Sequence, residues 1–75
     1  MLRPFKEEDK EKLLDIFKLN IPTFFAEHEI RDYENYLTSH GETYFTVERN
    51  GRIVGGTGYL VKNGTGRITW IFFHP

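Results

Sequence analysis

Proton transfer and metal binding need His, Cys, Asp or Glu side chains that converge in space, and this sequence offers few. It has no cysteine, and its three histidines, His28, His40 and His74, are far apart. Their spacing is not that of metal ligands, and the carboxylates beside them fall in segments that should be solvated. Ser39 directly precedes His40, but a nucleophile and its base meet in space and need a third, orienting group. The sequence therefore predicts no metal site and identifies no catalytic residue.

Two adjacent aromatic residues, Phe24 and Phe25, are stronger candidates for a binding role. They follow Pro22 in a segment that we expect to be a loop between two helices. Neighbouring loop residues do not easily both point into a core, and loops on a rigid scaffold often carry binding residues. Core packing and a ligand pocket are therefore both open for this pair.

Three glycines in the run Gly55-Gly56-Thr57-Gly58 could suggest a phosphate-binding loop. Such a loop requires a strand, a turn and then a helix, whereas here the residues on both sides are typical of a strand. Glycine inside a strand usually marks a bulge or a close backbone approach. We therefore expect a structural role for these glycines.

The elements that must position these residues begin with a short strand and two helices. Met1–Phe5 is a predicted strand, and Glu7–Leu19 is a predicted helix with an apolar stripe at three- and four-residue spacing. Within it, Glu8 and Lys12 have the i,i+4 spacing of an ion pair. A second helix is predicted from about Glu27 to Ser39, with Gly41 as a left-handed cap.

From Tyr44 onward the apolar period changes to two, as in strands. Asn50-Gly51 is a strong signal for a two-residue hairpin turn, since both central residues need positive φ. The strand Arg52–Lys62 follows, then a turn within residues 63–66 and a last strand, Arg67–Phe73. Two tight turns in succession predict an antiparallel meander, with the first strand joining its edge.

Length and charge exclude several classes of protein. Seventy-five residues allow one small domain. The formal net charge of −1 argues against nucleic-acid binding, which needs clustered Lys and Arg. Charged residues follow Met1 where a signal peptide would be apolar, and no apolar run approaches the length of a membrane span. With no cysteine, these features favour a cytoplasmic protein.

The last strand is the most apolar segment, and His74-Pro75 follows it directly. A strand of this kind normally has neighbours on both edges, but this chain supplies only one. We therefore expect residues 1–75 to be the N-terminal portion of a larger domain.

The order strand, helix, helix and three-stranded meander resembles the N-terminal half of GNAT-superfamily N-acetyltransferases, which have the acyl-CoA N-acyltransferase fold. Met1–Phe5 with the acidic residues 7–9 resembles the opening strand and first turn of that family. Val47–Gly55 is similar to its hairpin, residues 20–25 to a helix-to-helix loop, and Ile71–Pro75 to the end of its fourth strand. The expected fold is α+β, with an antiparallel four-stranded sheet (β-α-α-β-β-β) and two helices. The family's Arg/Gln-x-x-Gly-x-Gly/Ala signature would come after Pro75.

This resemblance implies an acetyl-CoA-dependent N-acetyltransferase that acts on an amine. Backbone groups of Ile71, Phe72 and Phe73 would bind acetyl-CoA, and a bulge there would aim an amide at the developing oxyanion. Pro22, Phe24 and Phe25 would help to shape the acceptor pocket. Some members carry a glutamate base on the fourth strand, but residues 67–71 contain no carboxylate. We therefore expect this chain alone to be inactive.

One alternative is a small α+β module that binds a protein or peptide through an exposed sheet edge. In the acetyltransferase interpretation the last strand, with a free and apolar edge, would favour self-association through Ile68–Phe73, for example as a dimer. The acceptor and the general base are not identified by the sequence.

Overall fold

The computed structural model describes residues 1–75 without a gap. It contains two helices and four strands: β1 Leu2–Pro4, α1 Lys10–Leu19, α2 Glu29–His40, β2 Tyr44–Arg49, β3 Arg52–Lys62 and β4 Thr65–Phe73. Two 3-10 turns, Glu7–Asp9 and Gly41–Thr43, precede α1 and β2. The strands form one antiparallel sheet in the order β1-β2-β3-β4. The predicted α+β class and element order are confirmed.

Both tight turns of the meander have the predicted geometry. Asn50 and Gly51 have φ of 53° and 77°, and Asn63 and Gly64 have the same values. Positive φ at both central residues is what a two-residue turn needs to match the twist of its strands. These turns set the register of the residues next to them, so that Arg49 lies opposite Arg52. Irregularities between Val47 and Glu48 and between Gly56 and Gly58 shift the register further along the strands.

The predicted start of the first helix was wrong by three residues, because Glu7–Asp9 forms a 3-10 turn before α1. With about three residues per turn, the spacing from Glu8 to Lys12 no longer places both side chains on one helical face. The predicted Glu8–Lys12 ion pair is accordingly absent. Lys12 therefore has no carboxylate partner.

Gly41 does not act as a left-handed cap, since its φ is −59°. It is close to the aromatic ring of Phe5 instead. A Cβ atom at position 41 would lie 3.0 Å from Phe5 Cδ2. Close approach of a ring, and not backbone handedness, accounts for glycine here.

The core lies between the helices and one face of the sheet. Eight apolar residues are buried there: Leu13, Ile16, Phe17, Tyr33, Tyr36, Leu37, Tyr44 and Phe72. The ring of Phe17 stacks on Tyr33 and Phe25, with centroids 4.7 and 4.3 Å apart. Burial of such large side chains is the main favourable term for a domain this small.

The opposite face of the sheet has no helix against it. Its exposed apolar side chains include Leu2, Tyr59, Ile68 and Phe73. No helix of the structure is long and apolar enough to span a membrane.

An ion-pair network ties β1 to the start of α1. Asp9 is buried and accepts hydrogen bonds from Arg3 Nη1 and Nη2 at 2.7 and 2.8 Å. It also accepts from the Lys6 amide at 2.9 Å and the Thr46 hydroxyl at 3.0 Å. Arg3 Nε lies 2.9 Å from Glu48 Oε1. Hydrogen bonds from Arg3 lower the pKa of Asp9, so this carboxylate stays ionised in the fold.

Candidate active-site groove

The most irregular backbone in the sheet is a bulge near the end of β4. Phe72 pairs with Gly56 and Thr69 pairs with Gly58, so two residues, Trp70 and Ile71, lie opposite Thr57. Trp70 has φ of 47°, which is uncommon for a residue other than glycine. Such outliers persist only where surrounding contacts hold them, and they cluster at functional sites.

The glycines of β3 allow Tyr44 to hold this bulge from the far side of the strand. A Cβ atom at Gly58 would lie 2.7 Å from Tyr44 Cδ1, and one at Gly56 would lie 2.5 Å from its hydroxyl oxygen. Because neither glycine has a side chain, the Tyr44 ring crosses β3 and its hydroxyl donates to Trp70 O at 2.8 Å. The expected bulge at these glycines is confirmed, and the group that approaches Gly56 and Gly58 most closely is a side chain and not a backbone.

Two further tyrosines of α2 complete the support of the bulge. The Tyr33 hydroxyl donates to the Tyr44 hydroxyl at 3.1 Å, and the Tyr36 hydroxyl lies 2.8 Å from Thr69 Oγ1. Burial raises the pKa values of Tyr33 and Tyr44 above the ordinary tyrosine range. Both hydroxyls therefore stay protonated and keep their donor role at any physiological pH.

Asn20 fixes the end of β4 to the end of α1. It continues the apolar stripe of α1, since it follows Phe17 by three residues and Ile16 by four, and it is only 3% exposed. Its Nδ2 donates to Ile16 O at 3.0 Å and to Phe73 O at 3.1 Å. Because the buried side-chain amide of Asn20 makes both of these hydrogen bonds, it fixes the position of the strand end.

An open groove of about 580 Å³ runs between this strand end and the loop that joins the helices. We call it the β4 groove. Its lining residues are Asn20, Phe24, Phe25, Ile71, Phe72, Phe73, His74 and Pro75.

The β4 groove brings together five of the six residues singled out from the sequence. Ile71, Phe72 and Phe73 form one wall, and Phe24 and Phe25 contribute to the other. The side chain of Phe72 is buried in the core, so this residue offers mainly its backbone to the groove.

The loop aromatics differ in environment, although both reach the groove. Phe25 packs on the core ring of Phe17, whereas Phe24 is 74% exposed. Pro22 is exposed and does not line the groove. Of the two possibilities left open by the sequence, Phe25 combines both, since it packs on the core and lines the groove, whereas Phe24 only lines the groove.

Titratable groups are scarce in the β4 groove. His74 is the one lining residue with an ionisable side chain. No group of three or more His, Cys, Asp or Glu side chains in the structure is placed to hold a metal ion. The groove is thus suited to binding through backbone groups and aromatic surface.

Sequence reasoning missed three residues that shape this site: Asn20, Tyr44 and Trp70. Asn20 could have been found, because its spacing places a polar side chain on the buried stripe of α1. No local sequence pattern distinguishes Tyr44 or Trp70, because their roles depend on how β2 pairs with β3 and how β3 pairs with β4. Their contact is a product of the tertiary fold.

A comparison with protein-family models matches residues 11–75 to the acetyltransferase (GNAT) family. The match covers most of the chain and includes the bulged strand and both helices. The chain belongs to the GNAT family. Comparisons with curated proteins and with solved structures find no match. Membership in the GNAT family indicates acyl transfer in general and leaves the donor and the acceptor to be identified.

Proposed function

We propose that the protein transfers an acetyl group from acetyl-CoA to an amine, using the β4 groove as the place where donor and acceptor meet. The observation that carries this proposal is the bulge of β4, which opens into the groove beside two loop aromatics. The bulge is held by hydrogen bonds from Tyr44 and the strand end by one from Asn20. Rigid placement of backbone donors is the requirement for stabilising a developing oxyanion.

The donor would lie along the outer edge of β4. This strand is at the edge of the sheet, so part of its N–H and C=O groups face away from β3. An extended, amide-containing arm such as pantetheine can pair with such an edge as another strand would. In this proposal, backbone groups of Ile71, Phe72 and Phe73 bind the arm and the acetyl carbonyl.

The acceptor amine would approach across Phe24 and Phe25. Aromatic side chains in a groove provide an apolar surface that excludes water from the reacting atoms. Pro22 would act on the acceptor side through the shape of the loop, since it does not reach the groove itself.

Residues 1–75 are proposed to form the N-terminal part of the catalytic domain and to be inactive alone. Two observations support this: β4 has no partner on its outer edge, and the groove is open to solvent. Transfer from a thioester needs a site that excludes water and a group that takes the proton of the amine. The peptide-binding alternative has no comparable support, since the family match indicates acyl transfer.

The test is a titration of the ¹⁵N-labelled chain with acetyl-CoA, followed by amide chemical shifts. We expect weak binding, with the largest changes at Ile71, Phe72 and Phe73. Tyr44→Phe removes the hydroxyl that holds the bulge and should weaken binding about threefold or more. Tyr59→Phe is the matched control, because Tyr59 is exposed on the opposite face and its hydroxyl makes no hydrogen bond.

The proposal is wrong if near-saturating acetyl-CoA leaves the amides of β4 unchanged. Equal affinities for the two tyrosine variants would contradict the role of the bulge. Thiol release from acetyl-CoA with a panel of amines should not exceed the buffer rate, and turnover by the 75-residue chain would contradict its proposed inactivity.

A further inference from the structure

A second and larger groove lies between α1 and the hairpin that joins β2 and β3. Its volume is about 820 Å³. We call it the hairpin groove. Its lining residues are Lys12, Arg49, Gly51, Arg52, Ile53, Val54, Phe73 and His74.

Every charged side chain that lines the hairpin groove is basic. Lys12, Arg49 and Arg52 contribute three positive charges, and no Asp or Glu is among the lining residues. The chain as a whole has a formal net charge of −1, so this concentration of one sign is not a general property of its surface. A cleft lined by one sign of charge raises the local concentration of counter-ions.

None of these three cations has a partner within the fold. They form no ion pair and no side-chain hydrogen bond. By contrast, Arg3 and Lys10 each pair with a carboxylate nearby. The donors of the hairpin groove are therefore available to a ligand.

The hairpin also places two arginines where they oppose each other. Arg49 and Arg52 are directly opposite in the register of β2 and β3, at either side of the Asn50-Gly51 turn. Like charges at directly opposite positions destabilise an antiparallel pair. A sequence that breaks a local rule in this way often does so for function, and a bound anion would remove the repulsion.

We propose that the hairpin groove binds a multiply charged phosphate-bearing anion, with Arg49, Arg52 and Lys12 as its ligands. Arginine forks match phosphate oxygens in pairs, and lysine adds a point charge. A long nucleic-acid strand would need a basic track, whereas these charges form one local cluster. The proposal does not depend on acetyl transfer.

The phosphate could belong to a separate small molecule or to the acyl donor itself. Phe73 and His74 line both the hairpin groove and the β4 groove, so the two are contiguous at the end of β4. An extended ligand could therefore place an amide-containing arm in one groove and its phosphates in the other. The experiment separates these two sources.

The test uses the full 75-residue chain, ¹⁵N-labelled and titrated with sodium pyrophosphate up to about 10 mM at constant ionic strength. We expect amide shifts at Lys12 and at residues 49–53. Arg49→Gln and Arg52→Gln should each weaken binding about fivefold or more, as loss of a charge-assisted contact would. The matched control is Arg31→Gln on α2, an exposed arginine outside both grooves, which should change affinity less than twofold.

Acetyl-CoA and ATP then identify the source of the phosphate. Weaker acetyl-CoA binding by Arg52→Gln than by Arg31→Gln supports the donor's own phosphates as the ligand. ATP and pyrophosphate binding that depends on Arg52, with acetyl-CoA binding that does not, supports a separate anion. Absence of hairpin shifts with pyrophosphate, or equal effects of Arg52→Gln and Arg31→Gln, overturns the proposal. If pyrophosphate does not bind the hairpin groove, acetyl-CoA can still shift the amides of β4. The phosphate-site proposal and the acetyl-transfer proposal can therefore be rejected independently.

Discussion

Asp9 shows how one buried carboxylate connects β1, the start of α1 and β2. It receives hydrogen bonds from Arg3, Lys6 and Thr46, which lie in β1, before α1 and in β2. Removing one member of such a network leaves the others buried with unsatisfied charges or donors. In the sequence Asp9 is only one of three consecutive acidic residues, and nothing distinguishes it there because its partners come from separate elements.

Asp9→Asn should lower the free energy of unfolding at pH 7 by about 3 kcal/mol. Because the pKa of Asp9 is lowered in the fold, its contribution is present above the unfolded pKa of about 3.9 and is lost as pH falls through the folded pKa. The difference between wild type and variant should therefore shrink as pH falls from 5 toward 2. Urea unfolding over this range is the measurement, with Asp15→Asn as control, since Asp15 is exposed and unpaired. Equal effects of the two variants would disprove the role of Asp9.

The glycines of strand β3 allow a side chain of β2 to reach the backbone of β4. They leave space for the ring of Tyr44, and the hydroxyl of that ring then holds the bulge of β4. The apolar alternation of the strand was readable from the sequence, and so was the fact that glycines interrupt it. Which ring fills the space depends on the pairing of Tyr44 with Gly58, which is set by the Asn50-Gly51 turn together with the register shift between Val47 and Glu48.

Gly58→Ala should destabilise the protein by about 1–3 kcal/mol, since overpacking forces neighbouring groups to move. The added Cβ would lie 2.7 Å from Tyr44 Cδ1 and 2.8 Å from Thr69 Oγ1. Gly66→Ala is the matched control in β4, because no heavy atom lies within 4 Å of a Cβ there. It should be neutral or slightly stabilising. Urea unfolding of both variants checks this, and similar stabilities would mean that β3 has no need of glycine at position 58.

The molecule as a whole covers one face of its sheet and leaves the other face and the β4 edge open. A domain of this size buries only about 60% of its unfolded surface. The apolar strand surface that stays uncovered is therefore large relative to the buried surface that stabilises the fold. We propose that a second copy of the chain pairs with β4. Two identical strands can pair antiparallel about a twofold axis, which gives a closed dimer.

Ile68→Lys should convert such a dimer to a monomer, because a charge on an edge strand opposes edge-to-edge pairing. Ile68 is 69% exposed, so the substitution should leave the fold intact. Val61→Lys is the control, since Val61 is similarly exposed at 67% but lies on the inner strand β3. Sedimentation over a concentration series is the measurement. A wild-type chain that stays monomeric at high concentration would rule out association through β4.

The sequence by itself determined the element order, both hairpin turns and the α+β class, because apolar period and turn chemistry are local properties. It also identified Ile71, Phe72, Phe73, Phe24 and Phe25, and the structure brings these residues to one groove. Only the tertiary structure decided that Tyr44 and Asn20 hold β4, and that Lys12 joins Arg49 and Arg52 around a second cleft. The physical reason is distance along the chain: these contacts link residues 26 to 53 positions apart, and such contacts follow from register and packing, which no local pattern records.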